Sequence, residues 1–196
     1  VKSTTSAYIG AAEINTTEGD AFGAAQAVEV TADSNSTLVS AAGSGGGAGA
    51  ASVGGVANVN TLLKTTRAFI ARGADVAADT NVEVSAESAQ NIIGAGVSIR
   101  GAGAAAVSAV AAVNVVANTT EAYIGAERND SDTRATLVDS DGNVKLAATD
   151  DTLLIAVSAV GNGAGAAGVG ANVGANVVKS ETRAYVGENA TVNARG

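Results

Sequence analysis

Three V-x-V-like triplets, "VEVTADS" at Val28, "VEVSAES" at Val82 and "VKLAATD" at Val144, are each followed by an aromatic at one constant separation, at Phe69, Tyr123 and Tyr185. Those aromatics sit in one recurring phrase, "TTSAYIGAA" from Thr4, "TTRAFIARG" from Thr65, "TTEAYIGAE" from Thr119 and "ETRAYVGEN" from Glu181. The return leg, from aromatic to next triplet, varies: it is long from Tyr8 to Val28 and from Tyr123 to Val144, and short from Phe69 to Val82. A segment held to the residue beside one that tolerates extra length indicates paired backbone alternating with solvated backbone. The surplus stretches, "EINTTEGDAF" from Glu13 to Phe22 and "ERNDSDTR" from Glu127 to Arg134, have loop composition.

Within the fixed segment, Val recurs in alternate or near-alternate positions of runs such as "AAVSAVAAVNVVAN". Ala alone would permit helix. The β-branched Val and Thr, the abundant Gly and the missing Leu at helical spacing favour strands. The chain has no Pro, which suits an unbroken hydrogen-bonded sheet. Aromatics make up only 3% of residues and Gly numbers 25, so a broad core of large side chains is excluded. These features predict an all-β, single-stranded parallel β-helix running continuously through residues 1–196. The shortest repeat, from Phe69 to Tyr123, divides into three coils of about 18 residues, a usual β-helix coil. On that division the chain forms about ten coils, a rod about 50 Å long at about 4.8 Å per coil.

Strand alternation sets each aromatic and the following Ile or Val on opposite faces. Ile9, Ile70, Ile124 and Val186 fit a lumen floored by Ala, which leaves Tyr8, Phe69, Tyr123 and Tyr185 outside. The opposite register packs each aromatic under the neighbouring strand, and the sequence leaves both open.

The order V-x-A-x-x-x-V-x-V-x-A (Val76, Ala78, Val82, Val84, Ala86), then a Gly/Ala/Val run, then T-x-A-Y-[IV]-G, resembles the passenger repeats of leukotoxin-type filamentous adhesins. More broadly it is similar to the filamentous-haemagglutinin class of large bacterial exoproteins. The resemblance spans essentially the whole chain. It implies a right-handed parallel β-helix, export as an unfolded chain, and display on or release from the outer membrane of a Gram-negative bacterium. It carries over no catalytic residue.

Chemistry is sparse. Without His and Cys there is no imidazole, thiolate site or disulfide. The net charge of −8 argues against nucleic acid and anionic membrane as partners. No apolar run approaches the about 18 residues of a membrane span, so no membrane insertion is expected. The chain opens on Val1 with no visible signal peptide, and is expected to be an excised piece of a longer protein.

Four candidate sites stand out. "DSDGN" offers Asp139, Asp141 and Asn143 with calcium-like oxygen spacing, and Asp150 and Asp151 lie nearby. It lacks the remaining ligands of a calcium loop, and a plain Asp-Gly turn explains it equally well. Glu83 with Glu87, or Glu127 with Asp130, could in principle form a glycosidase pair, although a solvated face accounts for them. Asn60, Asn114 and Asn176 share one phase of the repeat, as an exposed polar row or as Asn bonded to backbone. With three coils between them they would not touch. "GSGGGAGA" from Gly43 lacks the Lys of a phosphate loop, and tight coil packing explains it.

The expected function is therefore a non-enzymatic structural and adhesive segment of a giant secreted or surface-displayed adhesin. It acts as a rigid spacer with loop-borne contacts to a host or neighbouring-cell receptor or glycan, and needs no cofactor. The alternative is an extracellular fibre or sheath subunit that associates end to end.

Overall fold

A computed structural model describes residues 1–16, 25–127 and 133–196. The described chain is all β. Its strands are β1 (Lys2–Ile9), β2 (Glu13–Ile14), β3 (Val28–Ala48), β4 (Ala51–Ala71), β5 (Asp75–Ala78) and β6 (Val82–Ala102). They continue with β7 (Ala105–Gly125), β8 (Thr136–Ser140), β9 (Val144–Ala164), β10 (Ala167–Val186) and β11 (Ala190–Ala194). Three parallel sheets result: sheet A in the order β1-β4-β7-β10, sheet B in the order β11-β8-β5-β2, and sheet C in the order β3-β6-β9. The chain visits C, A and B in turn, which is a parallel β-solenoid.

The coil is three times larger than the sequence suggested. Val28 pairs with Val82 and Val82 with Val144, and Ala51 pairs with Ala105 and Ala105 with Ala167. Successive coils are thus offset by 54 or 62 residues, and one whole repeat makes one coil. The chain forms three coils preceded by β1 and β2, not about ten. At about 4.8 Å per coil the stack is only about 15–20 Å high, well short of the expected rod. Each long strand has 21 residues, or 20 in β10, so the coil is about 70 Å across at about 3.3 Å per residue. The molecule is a flat blade in which sheets A and C face each other and sheet B closes one narrow edge.

The fixed segment from triplet to aromatic is now accounted for. It holds both long strands and the corner that joins them, and its strand residues are paired to the coils beside them. The described part of the tolerant segment carries the sheet B strands. Each distal corner is a Gly-Ala pair: Gly49-Ala50, Gly103-Ala104 and Gly165-Ala166. A Cβ at Gly103 would collide with the carbonyl oxygen of Gly49, and one at Gly165 with that of Gly103, so stacked corners require glycine there. At the turn into sheet B, Gly73 (φ 72°) and Asn189 (φ 57°) occupy left-handed positions.

Alternation sends even-numbered residues of β3, β4, β6, β7 and β9 into the lumen, and its filling changes along the blade. Where the three sheets meet, Ile70, Val76, Val84, Ile124 and Val138 form a dry core. A smaller apolar layer of Leu62, Ile92 and Val116 lies further out. Between these layers the lumen is polar. Lys64, 3% exposed, donates from Nζ to the carbonyls of Ser34 (2.5 Å) and Ala89 (3.2 Å) and to Ser36 Oγ (3.2 Å). In the next coil Asn118 Nδ2 donates to Gln90 Oε1 (2.7 Å) and Thr152 Oγ1 (3.0 Å), and Ser180 donates to Asp150. Burial lowers the Lys64 pKa below its usual 10.5, against the opposing pull of Asp150 and Asp33.

Candidate functional site

Among the described residues, the recurrent aromatic surface lies on the outer face of sheet A beside sheet B. Register places Tyr8, Phe69, Tyr123 and Tyr185 in one column, because β1, β4, β7 and β10 pair residue for residue through the repeated phrase. The rings stack face to face at 5.1, 4.8 and 5.2 Å between centroids, within 9° of parallel. The following Ile70 and Ile124 are fully buried, so of the two open registers the outward one holds. Tyr8 is 63% exposed, whereas Tyr123, sandwiched between neighbours, is only 3% exposed. Burial, reinforced by the nearby Glu127 carboxylate, pushes the Tyr123 pKa well above its usual 10.0.

The adjacent outward column pairs opposite charges. Arg67 Nε lies 3.1 Å from Glu121 Oε2, and Arg183 Nη1 donates to Glu121 Oε1 at 3.3 Å. Arg67 also reaches Glu127 (2.8 Å), and Arg183 pairs with Glu181. These charges compensate one another, and the stacked rings cover each other's faces. The inner rings, Phe69 and Tyr123, present only their edges, and only the terminal Tyr8 and Tyr185 each have a face turned away from the stack.

The other candidates fall at separate places. Asp139 accepts a hydrogen bond from Asn193 Nδ2 (2.5 Å), and Asp141 pairs with Arg195 Nη1 (2.6 Å). The backbone N–H of Asn143 donates to Asn81 Oδ1 (2.9 Å), so the Asp-Gly turn is stapled to the coil before it. Asp150 does not join this group: it points into the lumen, while Asp151 points out. Among the described residues no three acidic, His or Cys side chains are grouped to hold a metal ion.

Glu83 pairs with Lys145 (2.7 Å). Glu87 lies further along the same strand, about 13 Å away, beyond the carboxylate spacing of a glycosidase. Asp130, partner of Glu127 in the second pair, lies outside the described residues, as do Phe22 and much of both surplus stretches.

Asn60, Asn114 and Asn176 do touch, contrary to the sequence reading. Asn60 Nδ2 donates to Asn114 Oδ1 (2.7 Å), and Asn114 Nδ2 donates to Asn176 Oδ1 (2.8 Å). They point inward and form a continuous amide ladder, because one coil rather than three separates them. The Gly-rich run lines the distal lumen, where Gly46 and Gly54 leave the room taken by the Arg100 guanidinium.

Sequence reasoning missed Lys64, Gln90, Arg100 and Asn118, which polarise the lumen. Their even numbering, shared with Asn60 and Asn114, was the available signal.

Compared with known proteins, the chain matches no family model, no curated protein and no solved structure.

Proposed function

We propose that this chain is a non-enzymatic structural and adhesive segment of a secreted or surface-displayed bacterial protein. The observation that supports this reading best is the run of like-on-like ladders from coil to coil. Aromatic stacks on aromatic, Asn on Asn and Val on Val, so the residues distinctive enough to do chemistry are engaged in holding coils together. Candidate acids are paired with Lys145, Arg195 and Asn193 rather than gathered in a cleft.

The blade gains only about 4.8 Å of length for each large coil. It therefore contributes broad, stiff faces more than reach, with contacts carried by the length-variable sheet B edge. The partner is a receptor or glycan on a host or neighbouring cell, engaged at the Gram-negative cell exterior without a cofactor.

Beads coated with residues 1–196 should be retained on cultured epithelial cells under shear flow. Retention no greater than that of albumin-coated beads would sink the adhesive reading.

A further inference from the structure

The blade carries its charge on one half only. From position 39 of the first coil, through the distal corner, to position 61, no charged residue occurs, and the same holds from 155 to 177 in the third coil. The middle coil has a single charge there, Arg100, which turns into the lumen beside Gly46 and Gly54. Polarity is inverted in this half. The lumen holds hydrogen-bonded groups such as Asn60, Asn114 and Ser108, and the outer faces hold Val, Ile, Ala and Gly. Large apolar side chains are openly exposed, with Val53 at 78% and Val169 at 59%.

The two outer faces differ in relief. On sheet A the relief is low: Ala51, Ala105 and Ala167 stand together, as do Val53, Val107 and Val169, and the remaining columns mix only Gly, Ala, Val and Thr61. On sheet C, Ile99 stands between Gly45 and Gly161, a ridge that prevents flat contact. Even, uncharged, small-residue sheets pack face to face at about 10 Å.

We propose that the outer face of sheet A across positions 51–61, 105–115 and 167–177 is a self-association surface, on which a second copy of this chain packs face to face. Eleven positions at about 3.3 Å and three strands at about 4.8 Å give about 500 Å² per partner. The total of about 1,000 Å² reaches the lower bound of a specific interface and corresponds to a weak, concentration-dependent dimer. This contact is lateral, not end to end, and is independent of the adhesive reading above.

Sedimentation velocity of residues 1–196 from micromolar to submillimolar concentration tests it. The expected result is a monomer–dimer equilibrium that Val107→Lys weakens by about tenfold or more, while Val97→Lys on sheet C leaves it unchanged. The triple change Val53→Thr, Val107→Thr and Val169→Thr preserves shape and strand preference, so it reads the same face should the lysine variant fail to fold. It too should weaken the dimer. A monomer at every concentration, or a dimer indifferent to both sheet A variants, overturns the proposal. So does equal weakening by Val97→Lys. Flotation with phosphatidylcholine vesicles that the threonine variant abolishes would assign the face to lipid and overturn it as well.

Discussion

Removing residues 82–143 should leave a folded protein. That stretch is one complete coil, and its removal joins Asn81 to Val144 where Asn143 stood before, keeping an Asn-Val corner. β3 then meets β9 and β4 meets β10 in the register both already hold against the missing coil. Several new neighbours suit each other: Glu29 meets Lys145, Phe69 meets Tyr185, and the buried Lys64 comes beside Asp150. One does not, because Glu121 leaves and Arg67 faces Arg183, a like-charge pair that costs up to about 1 kcal/mol. Gly46 and Gly54 also lose the Arg100 side chain that fills the space between them.

About a third of the chain is lost, so the urea m-value, which follows exposed area, should fall by about a third. Arg183→Glu should recover part of the midpoint. Urea unfolding followed by far-UV circular dichroism reads all three quantities. Removing only the stretch 82–99 should instead abolish cooperative unfolding, since that stretch makes a full coil only if each repeat is cut into three. A folded protein after the short deletion, or an unfolded one after the long deletion, would refute the one-repeat-per-coil register.

Asn114→Ala breaks the centre of the amide ladder and deprives the buried Asn60 Nδ2 of one acceptor, which should destabilise by about 1–3 kcal/mol. Leu153→Ala, on an exposed outer position, should stay within about 0.5 kcal/mol, and thermal melts of the two should separate clearly. Stability should also be shaped by alkaline pH. The folded Lys64 pKa lies below 10.5, so between the two values the unfolded chain holds the extra proton, and stability climbs as pH rises towards 10.5. Tyr123 works the other way: its folded pKa lies above 10.0, so beyond pH 10 the unfolded chain loses a proton that the fold retains, and stability falls. Lys64→Met should flatten the rise and Tyr123→Phe the fall in melts from pH 7 to 11; profiles unchanged by both would refute the assignment.

Strand content and the division into fixed and tolerant segments were legible because Val alternation and constant spacing report backbone pairing directly. Coil size was not. Gly49-Ala50 turns the chain through a corner, yet it sits among Gly and Ala and carries no mark that distinguishes it from the strands on either side. A usual β-helix coil takes about 18 residues, and that expectation cut the repeat into three. What spoke against the cut was already visible in Asn60, Asn114 and Asn176, whose separations are the ladder spacing itself. The polar lumen was obscured for a related reason: alternation between small polar and small apolar residues looks alike whichever face is turned inward.

Arg100 gives the coils an order that their backbones do not. Any coil could stack on any other by register alone, and recombination between repeats would be expected to change their number freely. The guanidinium of Arg100, however, needs the empty space that Gly46 and Gly54 provide in the preceding coil. A duplicated middle coil would set Arg100 against a second Arg100, with Ser108 where Gly54 had been, and bury two like charges together. Losing the coil leaves a void there and, on the outer face, only the partly exposed Arg67–Arg183 contact. Repeat number in such a gene is thus easier to lower than to raise, unless a glycine-lined coil is copied along with the arginine that fills it.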